Sequence, residues 1–145
     1  MTKATGSRIV ADTREQKPYQ FTNSTRTALT SGDYSLLNLE DQISIERKEL
    51  SDFYNCVGSD RDRFTRELER LSEFDLPIVV IEADLAEILK PNKHGSQLHP
   101  NSILGSIGSW IAKYGIIFIF AGGRELAKRM TEKILNKYMK YQQDD

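Results

Sequence analysis

An α/β sandwich with a mixed sheet is the fold this sequence predicts, on three observations. Short continuous apolar runs at residues 8–13, 77–82 and 116–120 have the length and composition of strands. Two segments, 33–39 and 42–48, alternate in polarity around a tight Glu40-Asp41 connection, which is the pattern of a β-hairpin. Between and after these lie stretches of helical period, so the order is strand, hairpin, helices, strand, helix, strand, helix.

Each element has its own local reason. Residues 14–30 are polar, carry Pro18 and are rich in Thr and Ser, and so read as a loop. From Glu49 to Phe74 the period turns helical: Phe53 and Val57 sit four apart, and Phe64, Leu68 and Leu71 form a second stripe after Gly58-Ser59, with Asp60 placed as an N-cap. Residues 77–82 (PIVVIE) read as a buried central strand, 84–89 as a short helix and 90–100 as an exposed, mobile loop. Pro100 suits the first turn of a helix carrying Ile103, Leu104, Ile107, Ile111 and Tyr114, which Gly115 ends. Residues 116–120 read as another buried strand. A last helix over about 123–141 has Leu126, Met130, Ile134, Tyr138 and Tyr141 on one face, and a QQDD tail that frays.

The 145 residues fit a single domain with its core at about 8–141 and no appended helix-hairpin-helix domain. One cysteine, Cys56, excludes an internal disulfide framework and a multi-cysteine zinc site. No signal peptide is evident and no apolar run is long enough to span a bilayer, so the expected location is cytoplasmic, nucleoid or nuclear, not secreted. Net charge is −1, so any grip on nucleic acid must come from locally gathered cations.

The chemistry concentrates in the hairpin. Along its second strand Ser44, Glu46 and Lys48 face one way and Ile43, Ile45 and Arg47 the other. Asp33 follows Gly32 at the start of the first strand, and a hairpin returns its two ends to the same place. Two carboxylates and an ammonium therefore converge. Such a set suits phosphodiester hydrolysis: carboxylates hold a hard cation that keeps water and phosphate oxygens in its other positions. A lysine beside them can orient or deprotonate water, or stabilise developing charge. On spacing alone, a solvated strand face with a cross-strand ion pair is the favoured reading, because the pattern is common by accident.

The flanking residues narrow this. Asp12-Thr13-Arg14-Glu15 closes the first strand, Gly32-Asp33-Tyr34 opens the hairpin, and Glu46-Arg47-Lys48 is followed by Asp52. In these elements the chain resembles the nuclease domain of the XPF family of structure-specific endonucleases, of the restriction-endonuclease-like superfamily. The likeness extends through Arg63-Phe64 and Glu67 to residues 78–82. It implies a three-layer sandwich, a mixed central β-sheet flanked by helices. It implies a Mg²⁺-dependent DNA endonuclease, with Mn²⁺ able to substitute, acting on branched or single-strand/duplex junction DNA in repair or recombination. Asp33 and Glu46 would ligate the metal, helped by the Arg47 carbonyl, with Asp12 close by and Lys48 as the catalytic lysine. Arg14 and Arg47 would serve the scissile phosphate or brace the carboxylates, and Glu15 and Asp52 would support them. Strand alternation points the Arg47 side chain away from Glu46, so bonding to Asp52 or a loop carbonyl is an equal expectation. Members of this family often work as dimers.

Weaker signals complete the reading. Arg63, Arg66 and Arg70 share a helical face, and Arg61, Arg63 and Arg66 are the residues expected to meet DNA phosphates. Arg129, Lys133, Lys137 and Lys140 read as the wet side of the last helix. His94 and His99 read as ordinary loop histidines, Trp110 as core or interface filler and Cys56 as buried. Ile103, Ile107, Trp110, Leu135 and Met139 offer an apolar surface on which a homodimer is expected. A non-catalytic DNA-binding or partner-organising module of the same fold, and a nuclease acting on RNA, are the competing functions.

Overall fold

The computed structural model describes residues 8–90 and 98–143. The expected loop at 90–100, with His94, falls mainly on residues outside these, as do the last two residues of the expected tail.

Six strands form one mixed sheet. In chain order they are β1 (Ile9–Asp12), β2 (Ser24–Thr27), β3 (Tyr34–Leu36), β4 (Ile43–Lys48), β5 (Leu76–Ile81) and β6 (Ile117–Phe120). Five helices accompany them: α1 (Leu50–Val57), α2 (Arg61–Leu71), α3 (Leu85–Ile88), α4 (Pro100–Tyr114) and α5 (Arg124–Gln143). The strand order is β2-β1-β3-β4-β5-β6. β1 and β2 are parallel, β1–β3 and β3–β4 antiparallel, and β4–β5–β6 parallel. Residues 24–27 fall within the expected loop, yet they pair in register with all four residues of β1.

Two apolar layers sandwich the sheet. On one face α1, α2 and α4 pack Phe53, Phe64, Leu68, Ile103 and Trp110 against Val79 and Ile81. On the other, α5 and the segment before β2 cover Ile9, Tyr34, Ile43, Ile45, Ile78 and Val80. Central β5 is buried on both faces, as its continuous apolar run requires. β6 is instead the sheet edge, with Ile117 exposed, so the expectation of a second buried strand there is corrected.

The helix ends follow the local chemistry. Pro100 opens α4, where the His99 imidazole accepts from the Asn101 N–H. Gly115, at φ 69°, ends it. Asp84 caps α3 through the Glu87 N–H. Asp60 precedes α2 without a side-chain cap bond and pairs with Arg63 instead.

The inward faces of the two long helices differ from expectation. α4 buries Ile103, Ser106, Ile107 and Trp110, while Leu104 and Ile111 face out. α5 buries Ala127, Thr131 and Leu135, while Leu126, Met130 and Tyr141 of the expected core stripe are exposed. The homodimer surface read from the sequence is corrected with it: Ile103, Ile107, Trp110 and Leu135 are core of this chain, and Met139 is half-buried.

Candidate active site

β1, β3 and β4 end together at one rim of the sheet, and the chemistry-bearing residues gather there. Gly32 sets the geometry. Its φ is +79°, and a Cβ added to it would lie 2.0 Å from Ser44 Oγ, so only glycine admits this close approach of the 31–32 turn to β4. The Asp33 N–H donates to the Ile45 carbonyl, and the Asp12 N–H donates to the Asp33 carbonyl. These two bonds hold Asp33 between its neighbouring strands.

Asp33, Glu46 and Lys48 come together on the face covered by α1 and α2. The Arg47 N–H donates to Asp33 Oδ2 at 2.7 Å, and Asp33 lines the cleft. Burial, and then the facing Glu46 carboxylate, push the Asp33 pKa well above the ordinary range. Burial also raises Glu46, with the Lys48 ammonium opposing and Glu67 adding to the rise. Lys48 Nζ lies 3.3 Å from Glu46 Oε2, 4.0 Å from Glu67 Oε1 and 5.3 Å from the Phe64 ring centroid. Burial works to lower its pKa, but Glu46, Cys56 and Glu67 outweigh it and the net shift is upward. The cleft over these groups encloses about 200 Å³ and continues past Lys48 and Glu49 into a shallower one.

Asp12 stands at the wall of this cleft with its oxygens engaged. It accepts from the Arg14 N–H and guanidinium and from the Leu29 N–H, at 2.8 to 3.3 Å. Burial pushes its pKa up, but these donors outweigh that and hold it low. Arg14 thereby lies along the cleft, its guanidinium also donating to the Leu29 carbonyl. Arg26, on β2, secures the same turn from behind by donating to the carbonyls of Asp12, Thr13 and Glu15.

Arg47 points to the opposite face, as strand alternation predicts. Its buried guanidinium makes a two-bond fork to Glu15, at 2.8 and 3.0 Å, and lies 3.3 Å from Glu82. Glu15 is pulled down by this fork and by the Lys17 N–H, against the upward push of burial. The expected partner, Asp52 or a loop carbonyl, is corrected: Asp52 is exposed and lines only the shallow end of the cleft. Glu82 also accepts from the Tyr19 hydroxyl and from Arg124, whose Nη2 reaches the Lys17 carbonyl at 2.7 Å. Six charged groups, Glu15, Glu49, Glu82, Lys17, Arg47 and Arg124, thus balance behind the site.

The three arginines expected to meet DNA are not equivalent. Arg61 donates to Ser106 Oγ and stacks over Trp110, bracing α2 on α4. Arg63 pairs with Asp60, and Arg66 is exposed without a described partner. Arg70, which shares a helical face with Arg63 and Arg66, and Glu67, part of the family likeness, are the α2 residues whose charges line the cleft. Their signal was their place one and two turns beyond Arg63-Phe64, on the side of α2 nearest the hairpin. Cys56 is buried close to Lys48, with burial foremost in pushing its thiol up to about 12.

The donor set suits one hard divalent cation. With all three ionised, Asp33, Glu46 and Glu67 would set three negative charges against one positive on Lys48, leaving −2 for a cation to meet, while Asp12 and Arg14 cancel. Among the described residues no three His, Cys, Asp or Glu side chains close into a ready-made metal cage.

Residues 11–134 match the ERCC4 domain. A curated protein of Methanocaldococcus jannaschii, named "Putative ATP-dependent RNA helicase", is 29% identical over 134 residues, covering 90% of this chain and 15% of its own length. The structure is similar to that of XPF from Aeropyrum pernix, with TM-score 0.70 at 20% identity over 88% of this chain and 59% of the other. XPF from Aeropyrum pernix in complex with DNA gives TM-score 0.71 at 19% identity, over 93% and 66%. The six-stranded mixed sheet with its flanking helices is thus the XPF nuclease fold, and this chain spans only part of each of these proteins.

Proposed function

We propose, from the fact that this chain belongs to the ERCC4 domain family, that it is a divalent-metal-dependent DNA endonuclease acting at branched or single-strand/duplex junction DNA. The observation that carries the reading is the convergence of half-buried Asp33 and Glu46 with Lys48 where two open clefts adjoin. Two carboxylates held so close repel each other, and burial costs both of them their hydration. A structure keeps such a pair most readily where a cation relieves it.

Asp33 and Glu46 would hold Mg²⁺, or Mn²⁺ in its place. When bound, the cation supplies polarisation of the scissile phosphate and a more acidic water. Lys48, steered by Glu46, Glu67 and the Phe64 ring, directs its ammonium at the charge that builds on the phosphate. Arg14, held by Asp12, offers its guanidinium to a neighbouring phosphate oxygen. Arg47 works through its backbone N–H, which orients Asp33, while its fork to Glu15 fixes the strand end. Arg66 and Arg70 supply the nearest exposed positive charge on α2.

A homodimer remains part of this proposal, on a different surface from that first read. Leu126, Met130 and Tyr141 on α5 are apolar and exposed.

The test is end-labelled single-stranded, duplex, flap, fork and four-way DNA offered with Mg²⁺, Mn²⁺ or chelator. Cleavage of junction substrates that stops in chelator is the expected result. Cleavage undiminished by chelator overturns the metal role. Binding without cleavage of any substrate, in any metal, overturns the nuclease reading in favour of a non-catalytic DNA-binding module.

A further inference from the structure

We propose that the cleft adjoining the catalytic one holds an unpaired nucleobase of the substrate strand, beside the phosphate that is cut; this rests on the nuclease reading above. The second cleft encloses about 500 Å³ and shares Thr30, Ser31 and Arg70 with the first, so the two form one continuous groove. Its character changes along its length. The inner wall is Leu29, which is 6% exposed, and the half-buried ring of Phe74, with Ala28 exposed at the lip.

Arg70 stands where the two clefts meet, exposed and with no side-chain partner among the described contacts. A guanidinium there neutralises one phosphate between the cut position and the next nucleotide. Beyond it the charge reverses. Glu40, Asp41 and Glu73 line the second cleft and not the first, so a sugar-phosphate backbone laid into it meets repulsion, and a duplex with two backbones more. A base entering edge-first meets the opposite: carboxylates accept from exocyclic amino groups, and the Phe74 face offers a stacking platform. The groove therefore matches one nucleotide whose phosphate stays at Arg70 and whose base turns inward. Turning a base inward is easiest where it is already unpaired, so the pocket selects strands that are single-stranded or melted beside the cut.

The experiment places 2-aminopurine at successive positions along the unpaired arm of a fork and follows its emission on saturation with wild-type protein in chelator. The variants are Ala28→Trp, which fills the mouth from an exposed position, and Phe74→Leu, which keeps apolar contact and removes the ring. One position should change emission at least about twofold, with Ala28→Trp abolishing the change and leaving overall affinity within about threefold. With Mg²⁺, an abasic site at that position should lower wild-type kcat/KM about tenfold, the scale of one lost base stack. Ala28→Trp should show that loss on the intact fork and no further loss on the abasic one. Emission that changes equally at all positions, or a change that both variants leave intact, overturns the base pocket alone. Failure of wild-type protein to bind any of these DNAs overturns the nuclease reading, and the pocket with it.

Discussion

Asp33 and Glu15 are both tied to Arg47, one through its backbone N–H and one through its guanidinium, and their acidities move apart. Asp33 is raised, so the folded chain binds its proton more tightly than the unfolded chain does. Its ionisation opposes folding at neutral pH, and stability rises as pH falls through the raised pKa toward the ordinary value of about 3.9. Asp33→Asn in chelator should therefore raise Tm at neutral pH, by an amount that shrinks toward nothing below about pH 4, while cutting cleavage at least about a hundredfold. Glu15 is lowered, and its contribution is complete above about 4.3 and lost as pH falls through its folded pKa. Glu15→Gln should cost about 3 kcal/mol at neutral pH, the low end for unpairing a buried charge because Glu82 still faces Arg47, and should converge on wild type in acid. Thermal melts of both variants from pH 3 to 8 measure the two trends; parallel rather than opposed curves would show that the pair is misassigned.

Helices and strands were legible in proportion to how plainly one face of each is buried. β4 alternates because Ile43 and Ile45 meet the α5 layer while Ser44 and Glu46 turn to the other face, so the convergence of Asp33, Glu46 and Lys48 follows from side-chain period alone. β2 escaped because all four of its residues are exposed and an edge strand with no buried face carries no pattern. α5 misled for a different reason. It meets the sheet through Ala127, Thr131 and Leu135, so small residues share its inward face with a large one, while Leu126, Met130 and Tyr141 lie outward. Arg47 was half legible: its direction followed from alternation, but its partners Glu15 and Glu82 come from distant segments that no local rule joins. At this scale Ala127→Leu should destabilise by about 1–3 kcal/mol through overpacking, whereas Leu126→Ala should stay within about 0.5. Denaturant midpoints compare them, and equal effects would restore the stripe first read from the sequence.

For the whole molecule the outward stripe on α5 sets the expected assembly. Wild-type protein at micromolar concentration should scatter light as about twice the 16.6 kDa chain, and Met130→Glu should return it to the single-chain mass without lowering Tm in the dilute limit. A single-chain mass for wild type across that range would leave the stripe without a second copy. Two segments far apart in sequence are also tied together. Arg124 at the start of α5 donates to the carbonyl of Lys17, 107 residues earlier, and to Glu82 beside Arg47. Closing so long a loop comes late in folding, because its entropy is lost before the contact is gained. The turn that carries Arg14 and Glu15 is itself held by Leu29, Arg26 and Arg47, so the late tie from α5 fastens the segment just after it, at Lys17. The catalytic cleft is lined without α5, so an early-folded sheet with α1 and α2 already carries it, and the last tie closes the face behind.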